Sequence, residues 1–146
     1  MTTLPDRCEV VVIGGGVIGV SVAYHLADAG IQDVVLVERK ELTSGTTWHA
    51  AGLVGQLRSS INMTKLARYT SELYQGLEAE TGQATGYRQC GSMSIAATAE
   101  RFEELKRSAS MAKVFDLEVN VLSVAEIAER YPLIQTDDLY GGIHIP

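Results

Sequence analysis

The sequence predicts an α/β fold whose N-terminal part is a parallel βαβ unit. Three observations carry that expectation. The β-branched run Val10-Val11-Val12-Ile13 stops at three consecutive glycines, Gly14, Gly15 and Gly16. A segment free of Asp, Glu, Lys and Arg then continues as far as Ala27. A second all-apolar run, Val34-Val35-Leu36-Val37, ends in the acid Glu38. Strand, glycine turn, helix and parallel strand within about 30 residues make such a unit.

Each element has a local reason. Residues 9–13 are short, β-branched and ended by glycine, as a buried parallel strand requires. Residues 17–29 read as a helix with Val20, Ala23, Tyr24 and Ala27 on its inner side. Gly30 follows where a helix C-terminus favours glycine. Residues 34–38 read as the second strand. Residues 40–56 begin as a loop rich in Gly, Ser and Thr, but Trp48, Ala50, Ala51 and Leu53 are unlike a solvated spacer. From residue 62 to about residue 80 the pattern is helical, with Leu66, Tyr69, Leu73 and Leu77 as a buried stripe. Gly82 and Gly86 stop it. Residues 87–90 and 93–96 flank Gly91-Ser92 and suggest a hairpin. Residues 98–115 form a second long helix, amphipathic through Phe102, Leu105, Ala109 and Ala112. Residues 119–122 read as a short strand. Ser123 and Glu126 have capping-box spacing and open a helix that runs to Arg130 and is closed by Pro132. Residues 139–145 form a last strand.

A chain of 146 residues is long enough for one domain with a real core. Its 46% apolar and 21% charged residues are the proportions of an ordinary soluble globular protein. A formal charge of −6 argues against nucleic acid or an anionic membrane as partner, because both reward clustered Lys and Arg. The uncharged stretch between Glu9 and Asp28 approaches the length of a membrane span, but the three glycines split it into a strand and a helix. Cys8 and Cys90 form no CxxC or Cys/His ligand cluster and read as free thiols of a reducing compartment. A three-layer nucleotide domain needs more parallel strands than this chain supplies. The expectation is therefore one incomplete domain over residues 1–146, the N-terminal part of a longer polypeptide. Residues 1–56 would be the βαβ unit and its following loop, and residues 57–146 a helix–hairpin–helix region that begins a substrate-side α+β part.

The chemistry concentrates in two motifs. Gly14-x-Gly16-x-x-Gly19 has the required strand before it and helix after it. Gly14 permits the tight turn, Gly16 the approach of a pyrophosphate, and Gly19 close packing of helix on strand. The N–H groups of Val17 and Ile18 would then point at phosphate oxygens from a helix N-terminus. Glu38, 19 residues beyond Gly19, completes the Rossmann-like fingerprint. Its carboxylate can accept from both ribose hydroxyls and would repel a 2′-phosphate, which disfavours NADP. The fingerprint alone does not separate FAD from NAD. The second motif, residues 43–53, does better. Ser44, Gly45, Thr46 and Thr47 offer donors to a second phosphate or a ribityl chain. Ala50, Ala51 and Gly52 let the main chain lie against a flat ring, and an extended cofactor such as FAD needs such a second site. The competing reading is a glycine-rich loop that only packs on the sheet.

The runs Gly-Gly-Gly-Val-Ile-Gly, Val-Val-Leu-Val-Glu-Arg and Ser-Gly-Thr-Thr-Trp-His-Ala-Ala-Gly-Leu resemble the start of the dimethylglycine/sarcosine dehydrogenase family, within the D-amino-acid-oxidase-like flavoproteins. The similarity extends to Gln89-Cys90-Gly91-Ser92-Met93 and Tyr140-Gly141-Gly142-Ile143. It implies a D-amino-acid-oxidase-type fold and FAD as cofactor. It also implies a covalent bond from the histidine of the Trp-His-Ala-Ala-Gly-Leu motif, here His49, to the 8α carbon of the flavin. FAD contacts would fall on Val17, Ile18, Glu38, Arg39 and the loop through Gly45, Thr46, Thr47, Trp48, His49, Ala50, Ala51, Gly52 and Leu53.

The implied reaction is oxidation of a small N-methylated amino acid, sarcosine or dimethylglycine, with hydride passing from the methyl carbon to the flavin. The electron acceptor would be an electron-transfer flavoprotein or oxygen, and a folate domain is possible in the full-length protein. The compartment would be cytoplasmic, or the mitochondrial matrix for a eukaryotic protein lacking its targeting segment. The alternatives are a noncovalent oxidase of the D-amino-acid or glycine type and a dinucleotide-binding fragment without activity. No catalytic residue is expected here, because the groups facing substrate would lie downstream. Trp48 reads as a packing residue, His25 and His144 as structural, and Arg58 and Arg88 as surface residues.

Overall fold

Extended, β-branched backbone at both ends of the first unit pairs in parallel, as expected. In a computed structural model describing residues 4–146, β1 (Val10–Ile13) lies beside β2 (Val34–Val37), with Val10 opposite Val34 and Ile13 opposite Val37. The crossover is α1 (Val17–Asp28). It ends in a Schellman motif: Gly30 N–H donates to Ala27 O and Ile31 N–H to Leu26 O, both at 2.9 Å, with Gly30 at φ +87°.

The predicted inner face of α1 is only partly covered. Ala23 and Tyr24 are half-buried, whereas Val20 and Ala27 are exposed, and no residue of the helix is fully buried. The physical reason is the narrow sheet. Two strands cover little of a helix, and Val11 and Ile13 are themselves exposed.

The chain divides into two units after Leu53. The second contains α2 (Ile61–Thr81), β3 (Ser92–Ala96), α3 (Ala99–Val114), β4 (Asn120–Leu122), α4 (Val124–Arg130) and β5 (Gly141–Ile145). Its sheet is antiparallel in the order β3-β5-β4. Ala96, Leu105, Ala109, Ala112, Leu117, Val119 and Ile143 form one core cluster, so the predicted stripe of α3 faces inward. The Ser123–Glu126 capping box that opens α4 forms in full.

Two expectations in this unit are corrected. The hairpin across Gly91-Ser92 does not form. Residues 87–90 are not a strand, and β3 pairs with β5 instead, Ser92 opposite Ile145 and Ala96 opposite Gly141. That pairing buries Ile143 under α3, which a local hairpin would not do. The stripe of α2 is also turned. Leu66 and Tyr69 are 58% and 45% exposed, Leu73 and Leu77 are half-buried, and the buried positions are Thr64 and Ser71. Both hydroxyls have partners. Thr64 Oγ1 accepts from Arg58 N–H at 3.1 Å, and Ser71 Oγ lies 2.5 Å from Tyr87 Oη. Hydroxyls with hydrogen-bond partners can be buried, and periodicity of apolar residues cannot register them. Among the described residues no helix is long and apolar enough to cross a membrane.

Candidate functional site

The candidate site lies in the first unit, at the junction of β1, the start of α1 and the loop after β2. Gly14 ends β1 with φ +105° and donates its N–H to Val37 O at 2.8 Å. This keeps the glycine turn at the carboxyl end of both parallel strands, where open α/β sheets bind ligands. A methyl group at Gly19 would stand 1.8 Å from Gly14 O, so only glycine lets α1 lie this close to the turn. The first intrahelical donor is Val20 N–H, bonded to Gly16 O at 3.0 Å. The N–H groups of Val17, Ile18 and Gly19 therefore precede the helical ladder.

Glu38 reaches back from the end of β2 to this turn. Its Oε2 accepts from Gly15 N–H at 2.8 Å and its Oε1 from Lys40 N–H at 2.9 Å. The Gly15 N–H, then the Lys40 N–H, hold its carboxyl below the usual carboxylate range. Glu38 is thus a clasp on the glycine turn as well as the residue expected to meet a ribose. A carboxylate has about four lone-pair sites, so the two roles are compatible.

The following loop is fastened to the same turn at two more points. Thr43 N–H donates to Gly15 O at 2.8 Å, and Thr43 takes a left-handed φ of +62°, rare for a β-branched residue. Thr47 Oγ1 accepts from Val17 N–H at 2.9 Å. The Val17 N–H, expected at a phosphate, is directed at Thr47 in this structure. Gly16, the N-cap residue, has no side chain with which to satisfy Val17, and a hydroxyl from the loop does so instead.

Thr46–His49 forms a short 3-10 turn, which brings His49 two residues beyond the Thr47 anchor. Trp48 is 68% exposed, and its ring lies 4.6 Å from the His49 ring, centroid to centroid. It is therefore not a packing residue in this unit; its ring neighbour is His49. Arg39, Ser44, Gly45, Thr46 and residues 49–53 are exposed. Gly45 and Gly52 have open space where a Cβ would stand, and Gly52 has φ +74°. These features fit the phosphate and ribose end of a dinucleotide together with an open small-residue loop beside it.

The sequence reading gave no role to Gly15, and it placed Thr43 in the second motif without its contact to Gly15. The first is buried, and a Cβ there would lie 2.5 Å from Leu42 Cδ2; its place inside a triple glycine was the signal. The second lay at the start of the 43–53 motif, but nothing in its residue type announced the left-handed φ of +62°. Of the remaining candidates, His25 and Cys8 belong to the first unit and the others to the second. His25 Nδ1 is 2.6 Å from Ser21 O in α1, and His144 Nδ1 is 3.3 Å from Arg130 Nη1 in the second unit. Arg58 and Arg88 are exposed, and Cys8 and Cys90 are free thiols.

Comparison with known proteins agrees with this geometry. The family model described as FAD dependent oxidoreductase matches residues 9–146. The chain is 45% identical over 141 residues to mitochondrial dimethylglycine dehydrogenase of Rattus norvegicus, covering 97% of this chain. It is 47% identical over 144 residues to mitochondrial sarcosine dehydrogenase of Mus musculus, covering 98% of this chain. In both cases it spans 16% of the relative's length. Among solved structures, L-proline dehydrogenase from P. horikoshii superimposes with a TM-score of 0.89 at 25% identity, over 98% of this chain and 37% of that one. The fold is the D-amino-acid-oxidase-type α/β fold expected from the sequence, with a partial sheet.

Proposed function

The chain belongs to the FAD dependent oxidoreductase family, and we propose that it supplies the FAD-holding end of an enzyme that oxidises a small N-methylated amino acid of the sarcosine or dimethylglycine type. The observation that carries the reading is the fastening of the Trp48-His49 loop onto the glycine turn by Glu38, Thr43 and Thr47. Identity of 45% and 47% to dehydrogenases of those two substrates supports the substrate class.

Ile18 and Gly19 N–H would hold the pyrophosphate at the start of α1, with Gly14 and Gly16 giving the backbone room. Glu38 would accept from ribose hydroxyls. Arg39 and residues 45–53 would follow the rest of the cofactor, with Ala50, Ala51 and Gly52 against the ring. When bound, FAD supplies the hydride acceptor for amine oxidation. His49 would hold the flavin covalently, a neutral ring nitrogen being the nucleophile. The bond would fix the ring so that substrate meets it in one orientation. The electron acceptor would be an electron-transfer flavoprotein or oxygen, a folate domain could capture the one-carbon product in the complete protein, and the compartment would be the mitochondrial matrix or the cytoplasm.

The test uses the full gene product. Sarcosine and dimethylglycine are offered with an artificial electron acceptor, and formaldehyde release is measured. Separately, the protein is denatured in acid and the pellet examined for flavin absorbance. Turnover of either substrate with flavin on the pellet supports the proposal. Turnover with all flavin released favours the noncovalent oxidase. Bound FAD with no turnover of either substrate overturns the substrate assignment.

A further inference from the structure

Resting on the reading of His49 as the flavin attachment point, we propose that Thr47 is a positioning residue for that attachment. The turn carrying His49 meets α1 through one hydrogen bond from backbone to side chain, Val17 N–H to Thr47 Oγ1 at 2.9 Å. The geometry around it is tight. A Cβ on Gly16 would lie 3.0 Å from the same oxygen, so the glycine at the N-cap is what admits the hydroxyl. The oxygen accepts from an N–H at the positive end of a helix, a site that favours an acceptor. Ala50 N–H donates to Thr47 O at 3.2 Å and closes the turn, so the backbone that carries His49 is held as one turn with Thr47. Thr43 and Glu38 hold the earlier part of the loop to Gly15, but Thr47 is the anchor next to the histidine.

Attachment demands such an anchor. A bond forms between the His49 ring nitrogen and the flavin 8α carbon. One hydrogen leaves that carbon and one leaves the imidazole. Both hydrogens, with two electrons, enter the flavin ring system, and a two-electron acceptor such as dioxygen then restores its oxidised form. The step needs the nitrogen held near one carbon atom, and a misplacement of about 1 Å can cost on the order of a hundredfold in rate. Phosphate and ribose contacts at Ile18, Gly19 and Glu38 do not share that demand. Thr47 should therefore govern attachment more than occupancy.

The experiment expresses the full gene product as wild type, Thr47→Val, Thr47→Ser and His49→Ala. Total flavin per polypeptide is measured in the native protein, and the acid-stable fraction after denaturation, with the mass of the His49 peptide as a check. The expected result is a T47V protein that binds flavin but whose acid-stable fraction falls tenfold or more, while T47S restores it to the wild-type level. A T47V protein with the wild-type acid-stable fraction overturns the role of Thr47 and leaves the attachment at His49 standing. A wild-type protein that releases all its flavin overturns the attachment and this proposal with it. Should T47V fail to fold, T47A is read in its place. Equal loss of bound and acid-stable flavin in T47A would make Thr47 a general binding residue and overturn the proposal.

Discussion

Glu38 Oε2 accepts a hydrogen bond from the backbone N–H of Gly15 at 2.8 Å, across 23 residues of sequence. One bond thus ties the end of β2 to the glycine turn that follows β1. The carboxylate that sequence reasoning assigns to the ribose also shapes the turn that would hold the phosphates.

That bond makes the turn acid-sensitive. The Glu38 carboxyl is held below its ordinary value of 4.5, first by Gly15 N–H. A carboxyl depressed in the folded state contributes stability above the unfolded value, and that contribution is lost as pH falls through the folded value. Glu38→Gln should therefore lower Tm at neutral pH and flatten its decline below about pH 4.5. Thermal melts of wild type and E38Q at a series of pH values check this; parallel curves would refute it.

Gly19 should tolerate no side chain. A methyl group there would stand 1.8 Å from Gly14 O, a backbone atom with no freedom to move aside. Gly19→Ala should cost about 3 kcal/mol or more, at the upper end of overpacking penalties, and should abolish flavin binding. Flavin content and chemical denaturation read both effects.

α1 and α3 end in the same motif with different residues. After α3, Asp116 N–H donates to Lys113 O and Leu117 N–H to Ala112 O, as Gly30 and Ile31 do after α1. Asp116 sits at φ +55°, a conformation that disfavours a side chain. Its carboxylate is 3.8 Å from Arg68 and almost wholly exposed, so that ion pair contributes little. Asp116→Gly should stabilise the protein by about 1 kcal/mol, measured as a shift of the urea midpoint.

Ser71 Oγ and Tyr87 Oη are 2.5 Å apart, and Ser71 is fully buried. Ser71→Ala should cost about 1–2 kcal/mol by leaving the phenol without this partner. The double variant S71A/Y87F should cost less than the sum of the single changes, a coupling of about 1 kcal/mol in a double-mutant cycle.

The first unit was readable because its signals are local. Val10 to Ile13, the glycines and Val34 to Val37 each state their own conformation, and the two strands are joined by one helix. The α3 stripe and the Ser123–Glu126 capping box were legible for the same reason. The partner of β3 was not. Residues 87–90 lie near in sequence and β5 at the far end of the chain, and a strand's hydrogen-bonding edge does not encode which other edge it meets. The buried face of α2 was hidden too, because Thr64 and Ser71 are interior with partners on Arg58, Tyr87 and Gln56. Within the site, the residue types at Gly14, Gly16, Gly19, Glu38 and His49 were legible. The bonds from Val17 to Thr47 and from Gly15 to Glu38 were not.

The amino-acid sequence by itself determined the βαβ unit, the dinucleotide fingerprint and the resemblance that brings His49 and FAD into view. These depend on residue type and spacing along one stretch of chain. Tertiary structure decided which strand pairs with β3, which face of α2 turns inward, and that the loop before His49 is fastened to the glycine turn by Glu38, Thr43 and Thr47. Each is a choice among partners distant in sequence. Unmatched hydrogen-bonding groups and apolar area make that choice once the chain has folded around them.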